Sequence, residues 1–343
     1  MCQLANKEMV ADNRYYTARR VRRSLGHFLL GRGITSIASF AVAILLVREL
    51  SVTDYAGYTA ISGILIVLMV ISSGGLERVV PRYLPELRQA HAEFELKFFC
   101  WQLVFLRLIL LSVCLIGLAF LYPLVSEWLK LPASSELLWA FILYALMFGM
   151  SMHLSRSLQA LLLQRNATQG MAIEWFSKLG ILLAWISYKQ QITLVDAIWI
   201  QGGTAALGGL YMLLGLRGHL GGSRQHDIPP GKSLDYRQVF SMGWHNYLQS
   251  LTGLHAGPAV GKIASAYFLS GLATAALGFA YTITGLLRRY LPANLLLGLI
   301  EPTIMARYSE SRDFSQTVRL VSIVLKVNLF ILIPLTVWFY FSG

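Results

Sequence analysis

Charge is scarce in this chain. Asp, Glu, Lys and Arg make up 13% of its 343 residues, about half the density of a soluble globular domain. Cysteine is scarcer still: Cys2, Cys100 and Cys114 are the whole set. Their spacing fits neither a zinc site nor a disulfide framework, and Cys100 and Cys114 read as small apolar residues within a span. No Gly-rich phosphate loop leads into Lys and Ser or Thr, and no His-Glu-x-x-His occurs. ATP-driven pumping by this chain is therefore not expected. The seven histidines, His153 and His245 among them, lack ligand spacing, so no metal, no cofactor and no catalytic constellation is expected. The net charge of +12 comes with no nucleic-acid motif, which argues against a nucleic-acid partner. The polar, basic first 25 residues do not form a cleaved secretory signal.

What is present is apolar sequence. The hydrophobic share is 56% and the mean hydropathy +0.57, and apolar stretches of about 20 residues recur along the chain. The expected fold class is all-α: a polytopic membrane protein of about nine transmembrane helices. Their approximate limits are 25–47, 55–75, 98–122, 137–154, 171–188, 192–216, 239–258, 274–300 and 318–341. The expected organisation is a cytoplasmic basic leader (1–24), a six-helix N-terminal lobe (25–216), a cytoplasmic linker (217–237) and a partial C-terminal lobe of about three helices (238–343). The linker is marked by Gly221, Gly222, Pro229, Pro230 and Gly231. The polar stretch 76–97 is expected to run as a helix along the inner surface. The helix of span four is expected to continue through Arg156 to Gln164, and 123–136 reads as an outer loop.

These limits split the cations unevenly. Nineteen of 29 Lys and Arg residues fall in stretches on one side, and four (Arg48, Lys130, Lys189 and Lys262) on the other. The positive-inside bias then puts the N-terminus in the cytoplasm. Six more, Arg32, Arg107, Lys178, Arg288, Arg289 and Lys326, lie within spans, where a cation costs roughly 2.5–3.5 kcal/mol at mid-helix.

Two stretches read alike. Ile44-Leu-Leu-Val-Arg-Glu-Leu precedes Tyr55-Ala-Gly-Tyr-Thr, and Ala266-Tyr-Phe-Leu-Ser-Gly-Leu precedes Ala276-Leu-Gly-Phe-Ala-Tyr. Gly57-Tyr58 would correspond to Gly278-Phe279, as in repeat-built transporters. Chance likeness between two apolar stretches is the competing explanation.

The run Gly31-Arg32-Gly33, Leu46-Val-Arg-Glu-Leu50, Asp54-Tyr55-Ala-Gly-Tyr58, Gly75-Leu76 and Arg82-Tyr83-Leu84 resembles the opening of the O-antigen-type polysaccharide-unit flippases. These belong to the multidrug/oligosaccharidyl-lipid/polysaccharide exporter superfamily. The run Phe268-Leu269, Ala276-Leu-Gly-Phe-Ala-Tyr281 and Pro302 resembles the start of that family's second lobe. The resemblance implies two six-helix lobes around a central cavity lined in part by spans one and eight. It implies a protein of the bacterial inner membrane that flips undecaprenyl-pyrophosphate-linked oligosaccharide for polysaccharide biosynthesis. Its partners would be the lipid-linked oligosaccharide, membrane lipids and the polysaccharide polymerase machinery. Nine spans depart from the pattern by leaving the second lobe three short. The expectation is a truncated chain, active or not, or a lobe completed elsewhere.

Arginine suits a pyrophosphate head because its planar fork pairs with phosphate at two points and stays charged. Arg32, Arg288 and Arg289 are the leading cavity cations, with Arg107 a fourth. Alternatives stand beside each. Arg32 is within snorkelling reach of the cytoplasmic headgroups. Arg288 and Arg289 would sit at an interface if their span ended at Leu287. Arg107 has the option of a carboxylate on a neighbouring span. Glu174 and Lys178, spaced i to i+4, suit an intrahelical ion pair or ion coupling. Asp196 suits the outer interface or the same coupling role. A cation or drug antiporter on the same scaffold would rely on these carboxylates. A membrane glycosyl polymerase, the enzyme alternative, would need a larger outer loop than the one of about 15 residues found here.

Overall fold

The computed structural model describes residues 18–90, 92–189, 191–221, 234–255 and 257–290, and scattered positions between 318 and 341. Side chains are described within these limits except at 18–30, 32, 189 and 287–290. Among the described residues up to 290, ten helices follow in order: α1 (Ala18–Glu49), α2 (Val52–Ile71), α3 (Leu76–Gln89), α4 (Glu93–Trp128), α5 (Ser135–Ala160), α6 (Gln164–Lys189), α7 (Leu194–Gly221), α8 (Tyr236–Leu254), α9 (Pro258–Phe268) and α10 (Gly271–Tyr290); the scattered positions between 318 and 341 are helical as well. Among the described residues there is no strand. Among the described residues, five helices, α2, α4, α5, α6 and α7, are long and apolar enough to cross a bilayer. The protein is an all-α membrane protein.

α4 makes the solvent argument most directly. Phe98, Phe105, Ile109, Val113, Ile116 and Phe120 are all exposed, at spacings that keep them on one side of the helix. In water such a stripe would be a large apolar patch; against lipid tails it carries no such penalty. At 1.5 Å per residue the 36-residue helix is about 54 Å long, well beyond an apolar core of about 30 Å.

α5 is the central post, packing on α3, α4, α6 and α7. Its contact with α7 is close because α7 presents glycine. A Cβ at Gly202 would come within 3.1 Å of the Tyr144 backbone, and one at Gly209 within 3.5 Å of Ser151. One residue earlier, Gly208 faces α6, where a Cβ would lie 2.7 Å from the Gly170 carbonyl and 2.9 Å from the Glu174 Cβ. Small residues permit such approach where apolar burial gives helices little reason to associate.

The polar stretch expected as a helix over 76–97 is helical from Leu76 to Gln89, and after a break the next helix takes up its end from Glu93. α3 buries Leu76, Val79, Val80, Leu84 and Leu87 against Phe99 and Leu103 of α4 and Leu154 and Leu158 of α5. Arg78 and Arg82 stay exposed. The turn into α3 needs glycine twice: Gly74 and Gly75 have φ of +53° and +77°, a region costly for a residue with a Cβ. A Cβ at Gly75 would also collide with the Gly243 carbonyl of α8.

Several boundaries differ from the sequence reading, among them α1 from Ala18, α7 to Gly221 and three that bear on the loops. α4 runs through Pro123 to Trp128, so the expected outer loop 123–136 is mostly helix. α5 stops at Ala160 rather than Gln164, and Leu162 turns the chain with φ +56° before α6 begins. The expected outer connection around Lys262 is instead α9, opened by Gly257-Pro258 with proline in the first turn, where its missing N–H would lack a partner anyway.

The likeness between the two stretches has a local basis. In each, a leucine follows the last helical residue and a serine precedes the first residue of the next helix. Ser51 Oγ accepts from the Asp54 N–H at 3.0 Å, and Ser270 Oγ from the Ala273 N–H at 3.3 Å. The Gly-aromatic pairs are out of register, however. Gly57 lies six residues past its serine and packs on Leu131 and Leu194; Gly278 lies eight past its own and packs on Thr59.

Replacing Gly208 by Val should destabilise the protein by about 1–3 kcal/mol through overpacking. Gly218→Val on the same helix, where nothing lies within 4 Å of a Cβ, should change stability by under about 1 kcal/mol, because valine is no worse a helix former than glycine. Thermal unfolding of the purified variants in one detergent measures the contrast.

Candidate functional site

Among the described residues, three groups of polar side chains stand out inside the helical core. The first joins α5, α6 and α7. Lys178 Nζ lies 3.5 Å from Glu174 Oε1, one turn apart on α6, and both are buried. The Ser151 hydroxyl of α5 donates to Glu174 Oε2 at 3.4 Å. The Lys178 ammonium also lies 4.3 Å from the centroid of the Trp175 ring, a favourable place for a desolvated cation. The glycine of α7 at 208 leaves room for Glu174 at this crossing. The intrahelical pair read from the i to i+4 spacing is therefore formed. Asp196 stands apart from it, at the start of α7. Its Oδ2 accepts from the Thr193 N–H and hydroxyl at 3.2 and 2.9 Å, while Thr193 Oγ1 accepts from the Asp196 N–H at 3.3 Å. That reciprocal arrangement is a capping box.

The second group closes the C-terminal end of α2, whose last four carbonyls lack intrahelical partners. The Leu68 carbonyl accepts from the Ser72 N–H and hydroxyl, at 2.9 and 2.6 Å. The Val70 carbonyl accepts from the Ser73 N–H at 3.1 Å. The Ile71 carbonyl accepts from the Tyr247 hydroxyl of α8 at 3.0 Å. The Met69 carbonyl accepts from Arg107 Nη1 of α4 at 3.4 Å, with Nη2 3.4 Å from the Met69 sulfur. Arg107 is 2% exposed and, among the described residues, has no carboxylate within ion-pair distance. Its partner is the negative end of a helix rather than the neighbouring acid the sequence suggested. Nearby, Arg156 of α5 pairs with Glu77 of α3 at 2.8 Å. His153, one turn before Arg156, is buried with Nε2 unbonded.

The third group lies where α9 and α10 pack on α2. Lys262 Nζ donates to Ser62 Oγ at 2.9 Å. Ser62 is the eleventh of the twenty residues of α2, so this half-buried ammonium sits at the middle of a candidate span. Gly63 admits α9 closely: a Cβ there would lie 3.1 Å from the Ala259 carbonyl. Gly278 of α10 abuts Thr59 in the same way. On the adjoining side of α2, Gln201 Nε2 donates to the Tyr58 hydroxyl at 2.8 Å.

Lys262 was missed from sequence because it was assigned to an outer connection. The available signal was Gly257-Pro258, which begins a helix, followed by small residues at Ala259 and Ala266 that match Gly63 and Ala60. The other candidate cations divide differently. Arg32 lies on α1 and Arg288 and Arg289 in the last turn of α10, with their side chains outside the described residues. Lys326 is exposed. Cys100 and Cys114 are free thiols within α4. No group of three His, Cys, Asp or Glu residues suited to a metal occurs among the described residues.

No protein-family model and no curated protein matches this chain. A solved structure of a chain named protein A is similar in fold, with a TM-score of 0.65 at 15% identity, covering 93% of this chain and 73% of that one. At that identity the likeness concerns the fold alone.

Lys178→Met, which leaves Glu174 buried without its cation, should cost about 3–5 kcal/mol. The double variant Glu174→Gln/Lys178→Met should recover much of that loss. A double-mutant cycle by chemical or thermal unfolding, read against the single variants, measures the coupling.

Proposed function

We propose that the protein flips a lipid-linked, anionic saccharide, of the undecaprenyl-pyrophosphate oligosaccharide class, across a bacterial inner membrane. The observation carrying this reading is the Lys262 ammonium at mid-height of α2, between the segment that opens the chain and the one that follows the linker. Such a carrier leaves its tail in the bilayer while its diphosphate and sugars cross. A cation at that depth lowers the barrier to the diphosphate, and cations within spans often mark the pathway of an ion or substrate.

The fuller reading has about nine spans, a six-helix lobe over 25–216 and a partial lobe over 238–343. The N-terminus faces the cytoplasm, as the uneven cation distribution favours. Arg32, Arg288 and Arg289 would join Lys262 in holding the diphosphate. Arg107 is better explained by the end of α2, and Asp196 by its capping box. Membrane lipids and the polymerase that receives the saccharide are the proposed partners. The antiporter alternative draws on one observation: Glu174 is a buried carboxylate held by Ser151 and Lys178. An incoming cation would have to displace Lys178 from it, which disfavours that reading.

In cells that depend on this protein for surface polysaccharide, Lys262→Ala, Arg32→Ala and Arg288→Ala should each reduce polymer at least tenfold with normal membrane insertion. Wild-type polymer in all three would remove the flippase reading. Cation efflux that is lost in Glu174→Gln would replace it with the antiporter.

A further inference from the structure

A cleft of about 490 Å3 opens between α3 and the start of α8, on the face that the proposed orientation puts in the cytoplasm. Arg82 of α3 and Arg237 of α8 line it, together with Asp235, Gln238 and Ser241. Both arginines are exposed, and neither has a carboxylate within ion-pair distance among the described residues. Asp235 caps α8 through Oδ1 alone, accepting from the Arg237 and Gln238 N–H groups at 2.9 and 3.4 Å. Its Oδ2 has no partner among the described residues. The Tyr83 hydroxyl beside it stays neutral, since burial raises it above the ordinary phenol value.

The walls are set before any ligand arrives. The Tyr236 ring packs edge-on against Phe99 at 6.4 Å, and its hydroxyl donates to Gln102 Oε1 at 3.2 Å. Behind them, Val239 and Met242 join the core built by α3 and α4. Beside the polar cleft, α8 carries an apolar ridge. Phe240, Trp244 and Leu248, one turn apart, are 74%, 49% and 43% exposed.

These parts have a common chemistry. Two guanidinium groups offer paired donors to phosphate oxygens. A free carboxylate oxygen, an amide and a hydroxyl are what sugar hydroxyls bond. The volume falls in the range of small-molecule sites, and the ridge beside it suits a prenyl chain. We infer that this cleft is the cytoplasmic intake subsite for the saccharide-diphosphate head of the carrier, with the prenyl tail along Phe240, Trp244 and Leu248. The inference rests on the flippase reading and adds to it a first docking place, separate from the mid-membrane cation. Arg82 and Arg237 hold the diphosphate, and Asp235 selects a head that carries sugar.

The test is binding to the full chain in lipid nanodiscs, with three probes: a prenyl-diphosphate disaccharide, the same prenyl diphosphate without sugar, and phosphatidylglycerol. The wild type should bind both diphosphates saturably. Arg82→Gln/Arg237→Gln should weaken both at least tenfold and leave phosphatidylglycerol retention unchanged. Asp235→Asn, which keeps a capping side chain, should weaken only the disaccharide probe, by about threefold to tenfold as for one hydrogen bond. Unchanged diphosphate binding in the double arginine variant would overturn the cleft assignment and leave the flippase reading standing. Equal loss of phosphatidylglycerol would make the cleft a phospholipid headgroup site and overturn it as well. An unaltered Asp235→Asn would remove the sugar contact. A wild type that binds neither diphosphate would take the flippase reading down together with this one.

Discussion

The carbonyl end of α2 is the constraint on which the rest of the arrangement depends. Four backbone acceptors at Leu68, Met69, Val70 and Ile71 have to be satisfied where the helix stops, in surroundings with little water. Two are met locally, by Ser72 and Ser73. The other two are met at long range, by Arg107 from α4 and Tyr247 from α8. The same short segment turns through Gly74 and Gly75 against the backbone of Gly243. One helix end thereby fixes α4 on one side and α8 on the other. The buried guanidinium, which on sequence alone invited a role in transport, completes this closure.

Around that point two kinds of close approach hold the helices. Between α5, α6 and α7 the approach is made by glycine, and it encloses the Glu174–Lys178 pair. A buried ion pair gives weak evidence of stability, because desolvation offsets much of the attraction. The pair instead penalises any rearrangement that would separate its members or bring a different helix face to α5. Between α2, α9 and α10 the approach again uses small residues, at Gly63, Gly278 and Gly261. Here a half-buried ammonium donates to a serine across the seam, and the Thr274 hydroxyl of α10 donates to the Ser265 carbonyl of α9. The two seams thus differ in kind. One encloses an ion pair within a single helix, and the other joins α9 to α2 through an ammonium and a hydroxyl.

The cations of the molecule fall into roles that their depth alone does not distinguish. Arg107, Lys178 and Lys262 each sit within helical cores. The first meets a helix end, the second a carboxylate on its own helix, the third a hydroxyl across an interface between distant segments. At the end of the bundle that carries α3, Arg82, over the Tyr83 ring, and Arg237 line a cleft with a carboxylate and two neutral polar groups. On the proposed flippase reading, a path for an anionic head would start at those arginines and pass the Lys262 level. It would leave the structural ones untouched.

The sequence by itself determined the class of the protein and most of its helices. Apolar stretches long enough to span, interrupted by polar turns, leave a chain little choice but helix in a bilayer, since every backbone group must bond within its own segment. The amphipathic α3 and the Glu174–Lys178 pair were equally legible, because helical periodicity and an i to i+4 spacing are local facts. What only the tertiary structure decided was the partner of each buried charge and the nature of the segment after α8. Arg107 could not be assigned to the Met69 carbonyl from spacing, since the two lie on different helices and the acceptor is backbone, which every residue carries. Lys262 was hidden because a short helix after Gly-Pro reads like a loop until a glycine face on α2 is seen to receive it. Local spacing encodes helices and pairs within them; which helix end meets which side chain depends on how the segments cross.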